Sequence, residues 1–247
     1  GFTSISEKLG PRQTVSLLNI YLDRMTEVLD RYSATINKFE GDGIFVFFGA
    51  PIALPDHCRQ ACLAALDAQR ELEQLMQQQR RINEALLKSD GSENPFELHR
   101  QLGELMSTKV GVVRDNDNLD GACHELRELE QRARHIGLSD RSGWSNQSLA
   151  YARQVQEMIH LGSVIAHSAR ARDECRGAHY KPAFDISIPE GKFPGDAEFE
   201  AYQRQWEKNN QRWLKTTLAV HSADGPLISY EAVDTSIVPP VQPRDYR

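Results

Sequence analysis

Cysteine, long apolar runs and positive charge are all scarce in this 247-residue sequence. Four cysteines in a chain of this length fit a reducing compartment better than a disulfide framework. The longest apolar run, from Ile44 to Leu54, is too short to cross a bilayer as a helix, so we expect no transmembrane segment. With 29 basic against 35 acidic residues and a net charge of −6, the composition does not favour nucleic acid as a partner.

The rest of the composition is that of an ordinary folded protein. Hydrophobic residues make up 40% of the chain and charged residues 26%, which argues against wholesale disorder. The length suffices for one large or two small domains. We expect a cytoplasmic protein, or one held by its partners at the inner face of the bacterial inner membrane. Because the sequence opens at Gly1 without an initiator Met, we interpret it as a fragment.

The first 78 residues predict the order helix, helix, strand, strand, helix. Ser4 and Glu7 have the spacing of a capping box, and Pro11 suits the first turn of the second helix. Two β-prone runs, Thr35–Phe39 and Ile44–Phe48, flank an Asp-Gly pair that favours a tight hairpin turn. The second helix carries an apolar stripe that we expect to be buried: Val15, Leu18, Leu22, Met25, Leu29 and Tyr32.

A third helix is predicted from His57 to Gln79, because Asp56 is a suitable N-cap. Leucine and isoleucine continue at helical spacing as far as Leu86. The pattern therefore predicts that a helix also crosses residues 70–82.

From residue 79 onward the patterns predict a helical bundle and then a small β-hairpin. We divide the chain into residues 1–78, a bundle at 79–180, and a loop, hairpin and extended tail at 181–247. The elements expected in the later part are three bundle helices, one charged helix, two strands and the tail: Phe96–Thr108, Leu119–Ile136, Gln147–Arg176, Phe199–Asn209, Leu214–Val220, Leu227–Val233 and Val238–Pro243.

The first part resembles a class III nucleotide cyclase catalytic domain. The resemblance covers residues 1–75 and is carried by Gly1-Phe2-Thr3-Ser4 and by the run from Asn37 to Pro51, NKFEGDGIFVFFGAP. It implies conversion of ATP to cyclic AMP, two Mg²⁺ or Mn²⁺ ions and a homodimer. It implies that Asp42 binds metal, that Lys38 reads the purine as in adenylyl cyclases, and that Phe2 and Thr3 lie at the phosphates.

Half of the cyclase constellation is missing from the sequence. The first of that family's two metal-binding aspartates would lie upstream of Gly1, and the strand pair and helix that complete its active site are not found after residue 75. Phosphoryl chemistry depends on complete positioning and charge neutralisation, so we expect no cyclase activity from this chain alone.

Residues from about 80 to the end resemble the C-terminal region of the succinate dehydrogenase and fumarate reductase flavoprotein subunit. The resemblance is carried by the runs ENPFELHRQLGELM, VVR, NQSLA, ARDECRGAHY, WLKTTL and PRDY, which begin at Glu93, Val112, Asn146, Ala171, Trp213 and Pro243. It implies FAD-dependent dicarboxylate oxidoreduction in the complete subunit. This segment of the family is a scaffold that docks on the flavin domain and the iron-sulfur subunit. Cys175 replaces the serine that is usual in the family.

No dinucleotide fingerprint accompanies this resemblance. The only closely spaced glycines before a predicted strand or helix are Gly41 and Gly43, and Val46 stands where a third glycine would be needed. We expect the chain alone to bind no FAD. The resemblance implies that Glu174, Arg176 and His179 form a structural network facing the missing flavin domain.

Together these features predict a mixed α/β fold: an incomplete, ferredoxin-like ααββα unit, then a helical bundle with a C-terminal β-hairpin. We interpret the chain as a composite of the two families, joined between about residues 70 and 82. The leading functional prediction is the C-terminal docking portion of a succinate dehydrogenase or fumarate reductase flavoprotein, inactive by itself. The alternatives are an adenylyl cyclase fragment and a non-enzymatic interaction protein.

Overall fold

A computed structural model describes residues 11–143, 146–222, 224–237 and 240. The chain divides into two compact units, one ending at Ala85 and the other beginning at Leu86. The helix predicted at Ser4 and the extended tail predicted after Val238 lie outside the described residues, apart from Pro240. The predicted boundary at residue 78 stays a prediction.

The described part of the first unit follows the last four elements of the predicted order: helix, strand, strand, helix. Helix α1 spans Pro11–Arg31, strands β1 and β2 span Thr35–Glu40 and Gly43–Phe47, and helix α2 spans His57–Lys88, ending just inside the second unit. The strands pair antiparallel with Glu40 opposite Gly43. Gly41 has a φ of 62°, a left-handed conformation that glycine adopts without a steric cost. The hairpin predicted from the Asp-Gly pair is therefore confirmed.

The apolar stripe of α1 is buried only near the end of the helix. Met25 and Val28 are buried, whereas Val15 is more than half exposed, so the prediction of one continuous buried stripe is wrong at its beginning. The hydroxyl of Tyr32 donates a hydrogen bond to the carboxylate of Asp67, which holds the end of α1 against α2.

Helix α2 runs unbroken across residues 70–82, as predicted, and continues past Gln79. Its sequence has no glycine or proline and is rich in alanine, leucine, glutamine, glutamate and arginine, the residues with the highest helix propensity. The local sequence therefore favours an unbroken helix across residues 70–82.

The second unit begins with a bundle of three helices, α3 at Pro95–Lys109, α4 at Asn116–Ala133 and α5 at Gln147–Ala171. Each helix starts at a residue whose side-chain oxygen accepts a backbone N–H at 2.8 Å: Asn94 from Phe96, Asp115 from Asn118, and Asn146 from Leu149. The helices bury a shared core that includes Leu98, Leu102, Leu119, Leu126, Ile136, Val155 and Ile159.

A charged helix and a β-hairpin follow the bundle. After a short 3₁₀ turn at Pro182–Phe184, helix α6 spans Ala197–Trp213, and strands β3 and β4 span Lys215–Val220 and Leu227–Ala232. The two strands pair antiparallel in continuous register. The predicted strand pair is confirmed, and α6 is longer than predicted at both ends.

Two expectations need correction. The described residues are mostly helical, and their two sheets are separate antiparallel pairs, so the ferredoxin-like part of the predicted mixed α/β fold is not shown. Helix α5 ends at Ala171 instead of Arg176, because Arg172 is extended (φ −103°, ψ 108°) and its side chain binds groups beyond the helix. Among the described helices, none is long and apolar enough to cross a membrane.

The contact between Gly91 and Gly137 generates a prediction about stability. A Cβ on Gly137 would lie 1.9 Å from the carbonyl oxygen of Gly91. We expect Gly137→Ala to lower the free energy of unfolding by about 1–3 kcal/mol or more, as overpacked sites do. The control is Gly103→Ala in α3, where a Cβ meets nothing within 4 Å; it should stabilise by about 0.5–1 kcal/mol. Urea unfolding measures both, and equal effects would contradict the prediction.

Candidate functional site

A buried carboxylate lies at the centre of the segment that follows α5. Glu174 is fully buried. Its Oε1 accepts a hydrogen bond from Nε of Arg172 at 2.8 Å, and its Oε2 accepts one from Nε of Arg176 at 3.0 Å. Both oxygens are thus engaged by guanidinium groups, which offsets the desolvation of the negative charge. We call these three residues the Glu174 network.

Arg172 connects this network to the C-terminal hairpin. Its Nη1 donates to the carbonyl oxygen of Lys215 and to Oγ1 of Thr217, both at 2.8 Å, and its Nη2 donates to the carbonyl oxygen of Trp213. The guanidinium also lies 5.7 Å from the ring centroid of Trp213 and 5.9 Å from that of Tyr230. One arginine therefore holds the start of β3 against the end of α5.

Arg176 makes the corresponding connection to helix α6. Its Nη2 donates to Oδ1 of Asn210 at 2.7 Å, while Nδ2 of Asn209 lies 3.5 Å from Glu174 Oε2. The Glu174 network thereby joins the bundle, α6 and the hairpin through side chains of one short loop.

His179 is held by a different arginine, Arg114, which lies just after α3. Nη1 of Arg114 is 2.6 Å from Nδ1 of His179. A guanidinium has only donors, so Nδ1 is the acceptor, and Nε2–H donates to the carbonyl oxygen of Arg172 at 2.9 Å. A neutral imidazole therefore has a hydrogen-bond partner at both ring nitrogens. Burial lowers the pKa of His179 below its ordinary value, which favours this neutral form.

Lys181 is the second buried ionisable residue of the loop, with 1% of its surface exposed. Its Nζ donates to Asp173 Oδ1 at 3.0 Å and to the carbonyl oxygen of Arg170 at 3.2 Å. Burial lowers the pKa of Lys181, while the Asp173 carboxylate opposes that shift. Sγ of Cys175 donates to the carbonyl oxygen of Lys181 at 3.2 Å. A serine hydroxyl at this position could donate the same hydrogen bond.

The sequence predicted a structural network of Glu174, Arg176 and His179. Of these, Glu174 and Arg176 are paired directly. His179 is linked to Arg176 through backbone hydrogen bonds in both directions, at 2.8 and 3.0 Å. Sequence reasoning did not single out Arg114, Arg172 or Lys181. Arg172 lies two residues before Glu174 in the run ARDECRGAHY, so their pairing could have been predicted from the sequence. The contact of Arg114 with His179, 65 positions away, could not.

The network is suited to holding chain segments together. Its carboxylate pairs with Arg172 and Arg176, and in the same loop Lys181 pairs with the carboxylate of Asp173. Covalent catalysis requires a nucleophile that is hydrogen-bonded to a general base. The described residues of this cluster contain no such pair. Rigid positioning is the chemistry that these groups supply.

The residues predicted for cyclase chemistry are arranged differently. Asp42 lies in the turn between β1 and β2, and Lys38 forms an ion pair with Glu40 and lies 5.9 Å from the ring centroid of Phe45. Within the described part of the chain, no three His, Cys, Asp or Glu residues are grouped as a metal site. Phe2 and Thr3 lie outside the described residues. The roles predicted for Asp42 and Lys38 stay predictions.

The described residues contain no dinucleotide site of the Rossmann type. A dinucleotide site of the Rossmann type needs parallel strands and a glycine-rich turn that leads into a helix. Both sheets of the described residues are antiparallel pairs, and Gly41 and Gly43 belong to a hairpin turn between two strands.

Comparisons with known proteins identify the family to which the second unit is similar. Residues 99–246 match a family model described as the fumarate reductase flavoprotein C-terminal region. The chain is 37% identical over 163 residues to the succinate dehydrogenase flavoprotein subunit of Bacillus subtilis, covering 65% of this chain and 24% of the relative. It is 27% identical over 204 residues to the fumarate reductase flavoprotein subunit of Helicobacter pylori, covering 80% and 26%. The chain thus spans about a quarter of these relatives.

A solved chain of Escherichia coli quinol fumarate reductase has a TM-score of 0.54 and 25% identity, covering 73% of this chain and 30% of that one. Residues 79–247 are about two thirds of the sequence, so the alignment over 80% of the chain reaches residues before 79. The matches support the flavoprotein resemblance, and they lend no support to the cyclase alternative.

The Glu174 network predicts a large effect from removing one charge. Glu174→Gln would leave two guanidinium groups, one of them largely buried, without their counter-ion. We expect the free energy of unfolding to fall by about 3–5 kcal/mol, as when one partner of a buried ion pair is lost. Glu97→Gln is the matched control, because that carboxylate pairs with Arg100 at the surface and should matter little. Equal urea midpoints for the two variants would contradict the role of Glu174.

The lowered pKa of His179 predicts a pH dependence of stability. In the unfolded chain this histidine takes up a proton below pH about 6.5, whereas the folded state resists protonation until a lower pH. The contribution of His179 to the free energy of unfolding should be fully present above pH about 6.5. It should be lost as the pH falls from there through the lower pKa of the folded state.

Urea midpoints measured across that range should show the loss in the unmodified chain and a shallower dependence in His179→Gln. His124→Gln is the control, since His124 is well exposed on α4. If His179→Gln and the unmodified chain had the same slope, His179 would not be the group responsible.

Proposed function

The chain belongs to the family of the fumarate reductase flavoprotein C-terminal region, and from that premise we propose that it is a docking element of an FAD-dependent dicarboxylate oxidoreductase. The observation that carries the proposal is the Glu174 network. It uses its buried charges to join the bundle, α6 and the hairpin into one preformed body. Preorganisation of this kind lowers the entropic cost of binding a partner.

We propose that catalysis belongs to the part of the subunit that this chain does not span. The relatives are named as flavoprotein subunits of succinate dehydrogenase and fumarate reductase, and only about a quarter of each is covered. FAD and the dicarboxylate would be held by the remaining part, with an iron-sulfur subunit as a further partner. The described residues support this division, because they offer charge pairing and no arrangement that fits a flavin.

We propose no cyclase activity for the first unit. The hairpin that carries Asp42 is present, but a single turn carboxylate is insufficient for a two-metal reaction. Lys38 is engaged by Glu40 on the same strand. The proposed role is therefore interaction without turnover.

Co-expression tests the proposal. The 247-residue chain would be expressed with the part of the Bacillus subtilis flavoprotein subunit that lies outside the alignment. We expect the two polypeptides to purify together in equal amounts, with flavin absorbance in the complex and none in the 247-residue chain alone. The chain alone also serves as the control for non-specific flavin binding.

Two results would contradict the proposal. One is flavin absorbance that stays with the chain when the other polypeptide is absent. The other is recovery of both polypeptides, each folded by circular dichroism, in separate fractions.

A further inference from the structure

Arg114 differs from the other arginines near the Glu174 network in having no acidic partner among the described residues. Its Nε donates to the carbonyl oxygens of Val110 at 3.1 Å and Gly111 at 2.7 Å, and its Nη1 donates to His179. By contrast, Arg170 pairs with Asp120 at 2.7 Å. Burial lowers the pKa of Arg114, as expected for a cation that has lost solvent without gaining a carboxylate.

Lys181 adds a second positive charge to the surroundings of Arg114 and His179, and the carboxylates of Glu174 and Asp173 are already ion-paired. The charges of Arg114 and Lys181 both oppose protonation of His179, and the charge of Arg114 also disfavours the charged form of Lys181. Asp173 is committed to Lys181 at 3.0 Å. A partly buried guanidinium in such surroundings gains most from one additional anionic oxygen.

The backbone beside Arg114 offers an unused hydrogen-bonding edge. Val113 forms a parallel bridge with Tyr180, in which Arg114 N–H donates to Tyr180 at 2.8 Å and Tyr180 N–H donates to Val112 at 3.2 Å. In this arrangement the N–H and C=O of Val113 point away from Tyr180. Neither group has a hydrogen-bond partner within the described part of the chain. Val112 and Val113 are 57% and 66% exposed.

We propose that residues 112–114, which we name the Arg114 edge, bind an extended segment of the flavin-binding part of the same flavoprotein. That segment pairs with Val113 through its backbone, covers the two valines and brings a carboxylate to Arg114. Addition of a strand to an exposed edge is a recurrent mode of peptide recognition. The inference rests on the proposed function and adds to it the contact surface and the chemistry of the partner.

This occupant accounts for all three features at once. A free carboxylate ion would satisfy the guanidinium but would leave the valines and the Val113 edge uncovered. A second copy of the chain would present the same edge, where the adjacent carboxylate, Asp115, already caps α4 through Asn118 N–H at 2.8 Å. The part of the relatives outside the alignment, about three quarters of their length, is ample to supply an extended acidic segment.

The test measures binding of the 247-residue chain to the flavin-binding polypeptide defined in the co-expression experiment. We expect Arg114→Gln to weaken binding at least about 30-fold, the effect of truncating one partner of a buried charge pair at an interface. Arg100→Gln is the matched control, because that guanidinium is already paired with Glu97 and Glu104 and should change the Kd little. A Kd of Arg114→Gln equal to that of the control would overturn the proposal.

Because Arg114 also binds carbonyl oxygens near the end of α3, a second variant guards against loss of folding. Val112 is exposed and lies two residues from Arg114, so Val112→Glu adds a negative charge to the surface that the segment would cover and repels the segment's carboxylate. It should keep the thermal midpoint and abolish binding, whereas Val112→Thr should bind nearly as well as the unmodified chain. Unchanged binding by a folded Val112→Glu would overturn the proposal.

The outcomes separate this inference from the proposed function. If the unmodified chain does not bind the flavin-binding polypeptide, the proposed function fails. If it binds and the edge variants bind equally well, only the Arg114 edge is wrong. Calorimetric titration of the chain alone with succinate is the remaining arm. Saturable binding that Arg114→Gln removes would identify a small-molecule site and overturn the docking assignment.

Discussion

Glu174 lies buried between two guanidinium groups, and the arrangement of the elements that follow the bundle depends on that carboxylate. Arg172 reaches from it to the first strand of the hairpin, and Arg176 reaches to α6. A buried charge is costly unless its oxygens are bonded, so the two arginines and the glutamate are stable only together. Helix α5 ends at Ala171, and the next residue, Arg172, is extended and binds the hairpin.

The same loop fixes its ionisable side chains by hydrogen bonds to the backbone. Neutral His179 and buried Lys181 are both oriented by hydrogen bonds to backbone carbonyls, and burial lowers the pKa of each. Arg114 belongs to the same cluster and is bonded to carbonyl oxygens and to His179, but its charge has no acidic partner among the described residues.

Much of the secondary structure was predictable because its causes are local. Asn94 and Asn146 cap helices through their own side chains, and the Asp-Gly pair before Ile44 makes a turn whatever surrounds it. Helix α2 has no residue that could interrupt it across residues 70–82. The burial of the α1 stripe was predicted less well, since Val15 has the right spacing but its exposure depends on what packs beside it.

The sequence by itself therefore determined the helices, the two hairpins and the resemblance to the flavoprotein region. Only the tertiary structure decided that Arg114 meets His179, that Lys181 is buried against Asp173, and that Arg172 binds the hairpin. The physical reason is distance along the chain. Caps and turns form between neighbours within a few residues, whereas these contacts join groups that only the packing of the bundle and hairpin, and the return of the 172–181 loop, bring within hydrogen-bond range.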